Sequence, residues 1–196
     1  MNVYDFDDTI YDGDSTVDFY LFCLLRRPQV LLSAPIQLSG FVLKALGWMD
    51  TTAMKERFFA FVRRLSDTEA LVEAFWDTHL GKIKPWYLAQ KAQDDVIISA
   101  SPAFLLSPAC KRLGIPEPIA TRVDARTGCI EGQNCKGEAK TVRFREIYPH
   151  QPIDCFYSDS LTDAPMAARA ARAFVVEGSS LRPWKGERHE QTKVQL

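Results

Sequence analysis

The sequence predicts an α/β fold in which a parallel sheet lies between layers of helices. From about residue 94 onward, short apolar runs alternate with helical patterns, which is typical of parallel strands joined by helices. A short apolar run also opens the chain, and a long helical stretch separates it from the second such run. We therefore expect one sheet, with the helical stretch inserted between its first two strands.

The elements follow the apolar pattern from the start of the chain. Residues 1–6 form the first predicted strand, which ends in acidic residues, and residues 15–93 have an almost wholly helical pattern. Within that stretch, Ser66 or Asp67 is expected to cap a helix. The continuous β-branched run at residues 95–100 is typical of a buried parallel strand.

The rest of the chain predicts three more strands and three more helices. The strands cover residues 118–123, 153–158 and 173–176, the helices cover residues 104–113, 138–147 and 164–172, and Thr127-Gly128 is a predicted hairpin turn. We expect a core domain of residues 1–14 and 94–184, a helical cap of residues 15–93, and a frayed C-terminal tail of residues 185–196.

The composition is that of an ordinary globular protein. Hydrophobic residues make up 46% of the 196 residues, charged residues make up 25%, and the formal net charge is −1. Lysine and arginine lack the clustered excess of a nucleic-acid interface, so no nucleic-acid partner is expected. The five cysteines include no CxxC pair, so neither a zinc site nor a disulfide framework is expected. The first residues carry no secretory signal, and we expect a cytoplasmic protein with reduced thiols.

The segment Asp5-Phe6-Asp7-Asp8-Thr9 is the first candidate for chemistry. Side chains two apart in an extended segment share a face, so Asp5 and Asp7 are expected to converge where the chain leaves the sheet. Two close carboxylates repel each other unless a cation lies between them, and Mg²⁺ prefers such oxygen ligands. One carboxylate can then attack phosphorus while the other transfers a proton. The alternative is a solvated acidic turn.

A serine segment and two lysines are the next candidates. Ser99-Ala100-Ser101 ends a predicted strand, where a hydroxyl can hold a phosphate oxygen, although Ser101 can equally cap the following helix. Lys136 and Lys140 flank the start of a predicted helix. An ammonium group there can offset the negative charge of a phosphate. The alternative for either lysine is an ordinary solvated side chain.

The last candidate segment follows the strand predicted at residues 153–158. Asp159 supplies a third acid at the strand tip, and Asp163 lies about one helical turn later. The alternative role of Asp163 is capping of a helix or compensation of the helix dipole in its first turn. Because ligands bind at the carboxyl ends of strands in open α/β sheets, the four segments are expected to meet at that edge.

Together, these segments resemble the four motifs of the haloacid dehalogenase-like (HAD) hydrolase superfamily. DFDDT looks like the first motif, SAS the second, NCKGEAK the third and SDSLTD the fourth. The spelling is similar to subfamily IB, the phosphoserine-phosphatase-like branch, although Ser158 and Ser160 stand where glycines are usual. The resemblance implies a three-layer, Rossmann-like parallel sheet with a helical C1-type cap inserted after the first strand.

The resemblance also implies a Mg²⁺-dependent phosphomonoester hydrolase and a role for each acid. Asp5 is the expected nucleophile, which becomes an aspartyl-phosphate, and Asp7 is the expected general acid/base. The metal is expected to be held by Asp5, the backbone carbonyl of Asp7 and Asp159, with support from Asp163. Superfamily members that cleave carbon–halogen bonds lack the second aspartate, so Asp7 disfavours dehalogenation.

The remaining roles that the resemblance implies concern the phosphate and the substrate. Ser99 and Ala100 are expected to bind the phosphoryl group. Lys136 matches the catalytic lysine of phosphoserine phosphatases and Lys140 that of a related group; both are candidates, and Lys136 is favoured. Asp14 matches a cap position that contacts the substrate amine in phosphoserine phosphatases, and its alternative role is a surface acid near a glycine turn.

The substrate class stays open between a lipid-linked and a small soluble phosphomonoester. Residues 28–43 carry no charge and are flanked by Arg26-Arg27 and Lys44. They predict either packed cap helices or a peripheral membrane contact, on the inner face of the membrane for a cytoplasmic protein. FYLFCLLRRP, YSDS and RPW are similar to C-type phosphatidylglycerophosphate phosphatases, which favours the lipid-linked class.

Two alternatives to a hydrolase remain. One is a non-catalytic HAD-fold binding or membrane-associated module, which retention of Asp5, Asp7 and Asp159 disfavours. The other is a phosphotransferase to an acceptor other than water, which only product analysis separates from a hydrolase.

Overall fold

The structure, a computed structural model, describes residues 1–184 and contains a six-stranded sheet. The strands are β1 (Asn2–Tyr4), β2 (Val96–Pro102), β3 (Ile119–Thr121), β4 (Ile153–Ser158), β5 (Ala170–Glu177) and β6 (Ser180–Pro183). Their order is β3-β2-β1-β4-β5-β6, with β1 to β5 parallel and β6 antiparallel to β5. The predicted frayed tail of residues 185–196 lies outside the described residues.

Both faces of the sheet are buried, because successive residues of its central strands enter different hydrophobic clusters. Val3, Ile98 and Phe156 lie in one cluster, whereas Tyr4 and Ile97 lie in the other. All five side chains are fully buried. A strand buried on both faces has a continuous apolar sequence, as β2 has. The predicted three-layer α/β fold is therefore confirmed.

Five helices lie between β1 and β2. They are α1 (Ser15–Arg26), α2 (Ala34–Ala45), α3 (Thr51–Phe59), α4 (Thr68–His79) and α5 (Pro85–Gln90), with 3-10 segments at Pro28–Ser33, Ala60–Arg64 and Leu80–Lys82. Phe75 and Trp76 of α4 share a hydrophobic cluster with Tyr4 of the sheet. Trp76 Nε1 also donates a hydrogen bond to the carbonyl of Leu105, at 2.6 Å. The insertion of helices after the first strand is confirmed, while the domain boundaries at residues 14 and 94 stay a prediction.

The remaining helices are α6 (Ala103–Leu113), α7 (Glu138–Ile147) and α8 (Ala164–Ala167). The helix predicted over residues 164–172 is too long, because β5 already begins at Ala170. β5 pairs with β4 from Ile153–Ala170 to Ser158–Val175. These ladder hydrogen bonds outweigh the helix propensity of the alanine-rich segment. The antiparallel strand β6 was not predicted.

The cap predicted for α4 is also corrected. Asp67 stands at the capping position of α4, but its side chain makes no hydrogen bond to the helix. Its carboxylate instead accepts a hydrogen bond from the guanidinium of Arg27. Pairing with a cation from another helix has thus replaced the local cap.

The predicted turn at Thr127-Gly128 lies between two residues that form an antiparallel bridge, Val123 and Ile130. Gly128 has a φ of +71°, which favours glycine. A side chain there would also place its Cβ 2.3 Å from the carbonyl oxygen of Phe59, at the end of α3. The glycine therefore permits both the turn and its close packing on the helical insertion.

Candidate active site

Neighbouring strands bring three of the four candidate segments to one edge of the sheet. β1 lies between β2 and β4, and Tyr4 pairs with both Ile97 and Tyr157. Asp5 continues this pairing by one residue, since its N–H donates to the carbonyl of Tyr157 at 2.8 Å. Asp5 is therefore level with Ser158 at the carboxyl edge of the sheet. Helix α7 brings the remaining segment, which contains Lys136 and Lys140, against this edge.

The carboxylate of Asp5 is buried and has a partner at each oxygen. Phe6 N–H donates to Asp5 Oδ1 at 2.8 Å, and Lys140 Nζ lies 2.9 Å from Asp5 Oδ2. Burial raises the pKa of Asp5 to about 7, with Lys140 opposing and the charge of Asp163 reinforcing the rise. Near neutral pH the group is therefore available in both its ionised and its neutral form.

Lys140 is the cation of the site and is only 1% exposed. Its Nζ lies 2.6 Å from Asp163 Oδ2 as well as 2.9 Å from Asp5 Oδ2. Burial opposes the charge, but the two carboxylates outweigh it and raise the pKa of Lys140. Ser158 Oγ donates to the same Asp163 oxygen at 2.9 Å. The ammonium therefore stays charged between its two carboxylate partners, and Ser158 holds one of them in place.

The preference for Lys136 over Lys140 is corrected by this geometry. Lys136 is exposed, whereas Lys140 is the lysine that contacts Asp5. Gly137, with a φ of +57°, turns the chain before α7 begins. The first turn of the helix then directs Lys140 inward, while Lys136 stays outside the helix.

Asp7 is held at the start of α1 by two donors. Ser15 N–H donates to Asp7 Oδ1 at 2.7 Å, and Ser101 Oγ donates to Asp7 Oδ2. Burial raises the pKa of Asp7 to about 6, reinforced by the charge of Asp14 and opposed by these hydrogen bonds. Ser101 lies within β2 and not at the cap of α6, so its alternative role as a helix cap is wrong.

The Ser99-Ala100-Ser101 segment is held from both sides. Ser99 is buried, and its Oγ accepts a hydrogen bond from Ser101 N–H at 3.1 Å. The carbonyl of Ala100 accepts hydrogen bonds from Lys55 Nζ and from Thr121 Oγ1, each at 2.9 Å. A helix of the insertion is thus fastened to this segment, and phosphate binding by Ser99 and Ala100 stays a prediction.

Asp159 is positioned by Thr9, the last residue of DFDDT. Asp159 N–H donates to Thr9 Oγ1 at 2.9 Å, and Thr9 Oγ1 donates to Asp159 Oδ1 at 3.2 Å. These bonds join the first and fourth candidate segments directly. They hold the Asp159 side chain beside the carboxyl end of β1.

The oxygen donors at this edge fit the Mg²⁺ expected for the site. Asp5, Asp159 and Asp163 carry hard carboxylate oxygens, the kind of ligand that Mg²⁺ prefers. Asp163 Oδ1 is buried and has no hydrogen-bond partner within residues 1–184, so it can accept from a metal-bound water. Within the same residues, no three His, Cys, Asp or Glu side chains are gathered as a complete metal site. The ligand set therefore stays a prediction.

Asp14, the candidate substrate contact, is exposed and caps α1. Its Oδ1 accepts hydrogen bonds from Thr16 N–H at 2.9 Å and Val17 N–H at 3.0 Å. Its charge is close enough to raise the pKa of Asp7. The cap explains why an acid stands here, and contact with a substrate stays a prediction.

Three residues that the sequence analysis did not single out also shape the site. Thr9 and Ser158 belong to the first and fourth motifs, so their positions there were a usable signal. Lys55 lies in the helical insertion, where no motif marks it. Besides Ala100, it donates to Asn134 Oδ1 at 3.1 Å, and burial lowers its pKa. Only the packing of α3 on the sheet edge reveals it.

Because the pKa values of Asp5 and Asp7 are raised in the folded protein, we expect the fold to be less stable at a pH above these values. A carboxyl group with a raised pKa in the folded state stabilises the fold only while it is protonated. Stability is therefore lost as the pH rises through the folded pKa values, about 6 for Asp7 and about 7 for Asp5. In metal-free buffer, Asp5→Asn should stabilise the protein by about 1–3 kcal/mol near pH 8 and by much less near pH 5. Urea unfolding of both proteins at each pH measures this gain, and a gain equal at both pH values would contradict it.

Comparisons with known proteins identify the family of the chain. A family model described as haloacid dehalogenase-like hydrolase matches residues 3–168. A probable phosphatase of Mycobacterium tuberculosis is 35% identical over 91 residues, which are 43% of this chain and 32% of that protein. This chain therefore spans about a third of the length of that relative.

Solved structures share the fold at low sequence identity. A Bordetella pertussis protein of unknown function has a TM-score of 0.69 at 21% identity, covering 88% of this chain and 87% of that chain. A probable phosphoserine phosphatase from Vibrio cholerae has a TM-score of 0.61 at 12% identity, covering 88% of this chain and 55% of that chain. The family model spans residues 3–168, which is most of the sequence and includes all four motif segments. The chain therefore belongs to the haloacid dehalogenase-like hydrolase family.

Proposed function

We propose that the protein is a Mg²⁺-dependent phosphomonoester hydrolase that carries the transferred phosphoryl group on Asp5. The contact between Asp5 Oδ2 and the buried ammonium of Lys140, at 2.9 Å, is the observation that supports this most directly. A nucleophilic carboxylate needs a neighbouring cation when a phosphate, itself an anion, approaches it. The family supports the same chemistry, because HAD phosphatases generally use Mg²⁺.

In the first step, a carboxylate oxygen of Asp5 attacks phosphorus, and the bond from phosphorus to the ester oxygen breaks. Asp7 gives its proton to the departing alkoxide, a role that suits a carboxyl group with a pKa raised to about 6. Lys140 balances the charge of the phosphoryl oxygens, and the Ser99 hydroxyl holds one of them. The products of this step are the alcohol and the aspartyl-phosphate on Asp5.

In the second step, Asp7 takes a proton from water as the water attacks phosphorus, and the bond from phosphorus to Asp5 breaks. Inorganic phosphate leaves, and both aspartates return to their starting states. Asp5, Asp159 and the carbonyl of Asp7, with Asp163 in support, would hold Mg²⁺, which would supply further neutralisation of phosphate charge. A proton-shuttling Asp7 thus serves both halves of the reaction.

The substrate is a lipid-linked or a small soluble phosphomonoester. The similarity to a probable phosphatase supports the reaction and not the choice between these classes. Parallel assays with phosphatidylglycerophosphate and with phosphoserine, each scored by released phosphate, separate them. A predicted membrane contact through residues 28–43 depends on the surface of the helical insertion and not on this chemistry.

Turnover of p-nitrophenyl phosphate tests the reaction itself. We expect hydrolysis that needs Mg²⁺ and stops on addition of EDTA. Asp159→Asn should raise the Mg²⁺ concentration for half-maximal activity by about tenfold or more, because a carboxylate ligand is lost.

Asp12→Asn is the matched control, since Asp12 is an exposed acid of the loop that follows Asp5-Phe6-Asp7-Asp8-Thr9 and should leave the Mg²⁺ requirement unchanged. Folded protein without Mg²⁺-dependent turnover would contradict the proposed function. An unchanged requirement in Asp159→Asn would remove Asp159 from the metal site.

A further inference from the structure

The first part of the helical insertion exposes an unusual number of apolar side chains. Eleven of the sixteen exposed large hydrophobic residues within residues 1–184 lie between Val17 and Trp48. We call this surface the apolar face; it comprises Val17, Leu21, Leu25, Leu31, Leu32, Ile36, Leu38, Phe41, Val42, Leu46 and Trp48. Leu25 is 83% exposed and Trp48 is 77% exposed. Exposed apolar residues concentrated in this way mark an interaction surface.

Helix α2 shows that this exposure is built into the fold. Leu38, Phe41 and Val42 recur at the spacing of one helical stripe, and all three are exposed. The buried residues of α2 are a polar residue, Gln37, and Gly40. The helix therefore buries the polar Gln37 and exposes its apolar stripe, the reverse of an ordinary surface helix.

The inward orientation of α2 is held by specific contacts. Gln37 Nε2 donates to the carbonyl of Phe58 at 2.9 Å, and Tyr20 OH donates to Gln37 Oε1 at 3.1 Å. Gly40 packs so closely on Arg57 that a Cβ would lie 3.0 Å from the Arg57 side chain. Rotating α2 to hide its apolar stripe would break these hydrogen bonds and open this contact, so the stripe stays exposed.

The charges around the apolar face identify the kind of surface that covers it. No aspartate or glutamate occurs from Phe19 to Met49, whereas Arg26, Arg27 and Lys44 lie in this stretch. The formal net charge of the whole chain is −1, so the residues outside this positively charged stretch are acidic on balance. Basic residues beside an apolar stripe complement anionic lipid headgroups above acyl chains. A second copy of the chain would instead bring like charges together.

We propose that the apolar face docks the protein on an anionic lipid bilayer, with α2 lying in the plane of the interface. α2 has 12 residues, well short of the roughly 20 residues that span a bilayer. Within the part of the chain that the structure describes, no helix combines the length and apolarity of a membrane span. Trp48 stands at the end of this face, where an aromatic ring favours the headgroup level.

The α2 part of the apolar face, which contains Leu38 and Phe41, is separated from the catalytic residues, so docking and catalysis can be measured independently. α3 lies between them: its Arg57 and Phe58 meet α2, while its Lys55 donates to Ala100 of the site. A variant that loses membrane docking can therefore keep its phosphatase activity, and a variant that loses activity can still dock. Failure of the docking proposal would leave the proposed hydrolase function untouched.

Flotation of the full chain with lipid vesicles tests the proposal. Vesicles of phosphatidylcholine and phosphatidylglycerol in equal parts should carry the protein upward, and vesicles of phosphatidylcholine alone should carry much less. Leu38→Glu combined with Phe41→Glu should lower the bound fraction by about tenfold or more, because two charges would enter the acyl region. Lys44→Gln should weaken binding less and only to the anionic vesicles.

Ile147→Glu is the matched control, because Ile147 is 55% exposed on α7, outside the apolar face. It should bind vesicles as the unmodified protein does, and circular dichroism melting should show all variants folded. Equal binding by Leu38→Glu/Phe41→Glu and the unmodified protein would overturn the proposal. A second outcome would also overturn the proposal. In it, the unmodified protein binds no vesicles and forms a dimer in light scattering, and the same double variant converts this dimer to a monomer.

Discussion

Asp5→Asn is expected to reduce phosphatase activity by roughly a thousandfold or more, because it replaces the carboxylate that takes the phosphoryl group in the proposed reaction with a neutral, far less nucleophilic amide. Asn has nearly the shape of Asp, so the hydrogen bond from Phe6 N–H can remain. The fold should survive, and near pH 8 it should be more stable. Steady-state hydrolysis of p-nitrophenyl phosphate with saturating Mg²⁺ measures the loss.

Asp8→Asn is the control for this variant. Asp8 is exposed and belongs to the same acidic segment, and its φ of +53° is one that Asn tolerates. The same chemical change, three residues away, should leave the rate within about twofold. A retained rate in Asp5→Asn would refute the assignment of the nucleophile, and an equal loss in both variants would point to general damage of the segment.

Lys140→Met is expected to have the second largest effect, a loss of about 10²–10³ in kcat/KM. Its ammonium is the buried cation beside Asp5 and Asp163. Removing it leaves two buried carboxylates without a cation beside them, so stability should also fall, by about 3–5 kcal/mol. Activity must therefore be compared at a temperature at which urea or thermal unfolding shows the variant folded.

Two further variants separate charge from folding. Lys136→Met makes the same substitution at the exposed lysine four residues earlier and should change neither activity nor stability appreciably. Adding Asp163→Asn to Lys140→Met should recover part of the stability, because one uncompensated carboxylate is gone, yet leave activity low. A larger loss of activity in Lys136→Met than in Lys140→Met would contradict the assignment drawn from the geometry.

Local patterns predicted most of the architecture because they depend on short stretches of chain. The predicted helix at residues 138–147 and strand at residues 153–158 have the bounds of α7 and β4. The errors lie where distant residues decide. β5 begins at Ala170 because it pairs with β4, and Asp67 leaves its capping role because Arg27 from another helix reaches it.

By itself, the sequence determined the α/β class, the inserted helices and the acids that stand at the ends of β1 and β4, since chain order and strand period place them there. Only the tertiary structure decided that Lys140 and not Lys136 meets Asp5, and that Lys55 reaches the second motif segment. The physical reason is that the inward side of a helix depends on its rotation against the sheet. That rotation follows from packing between residues far apart in the chain, and no pattern within one helix specifies it.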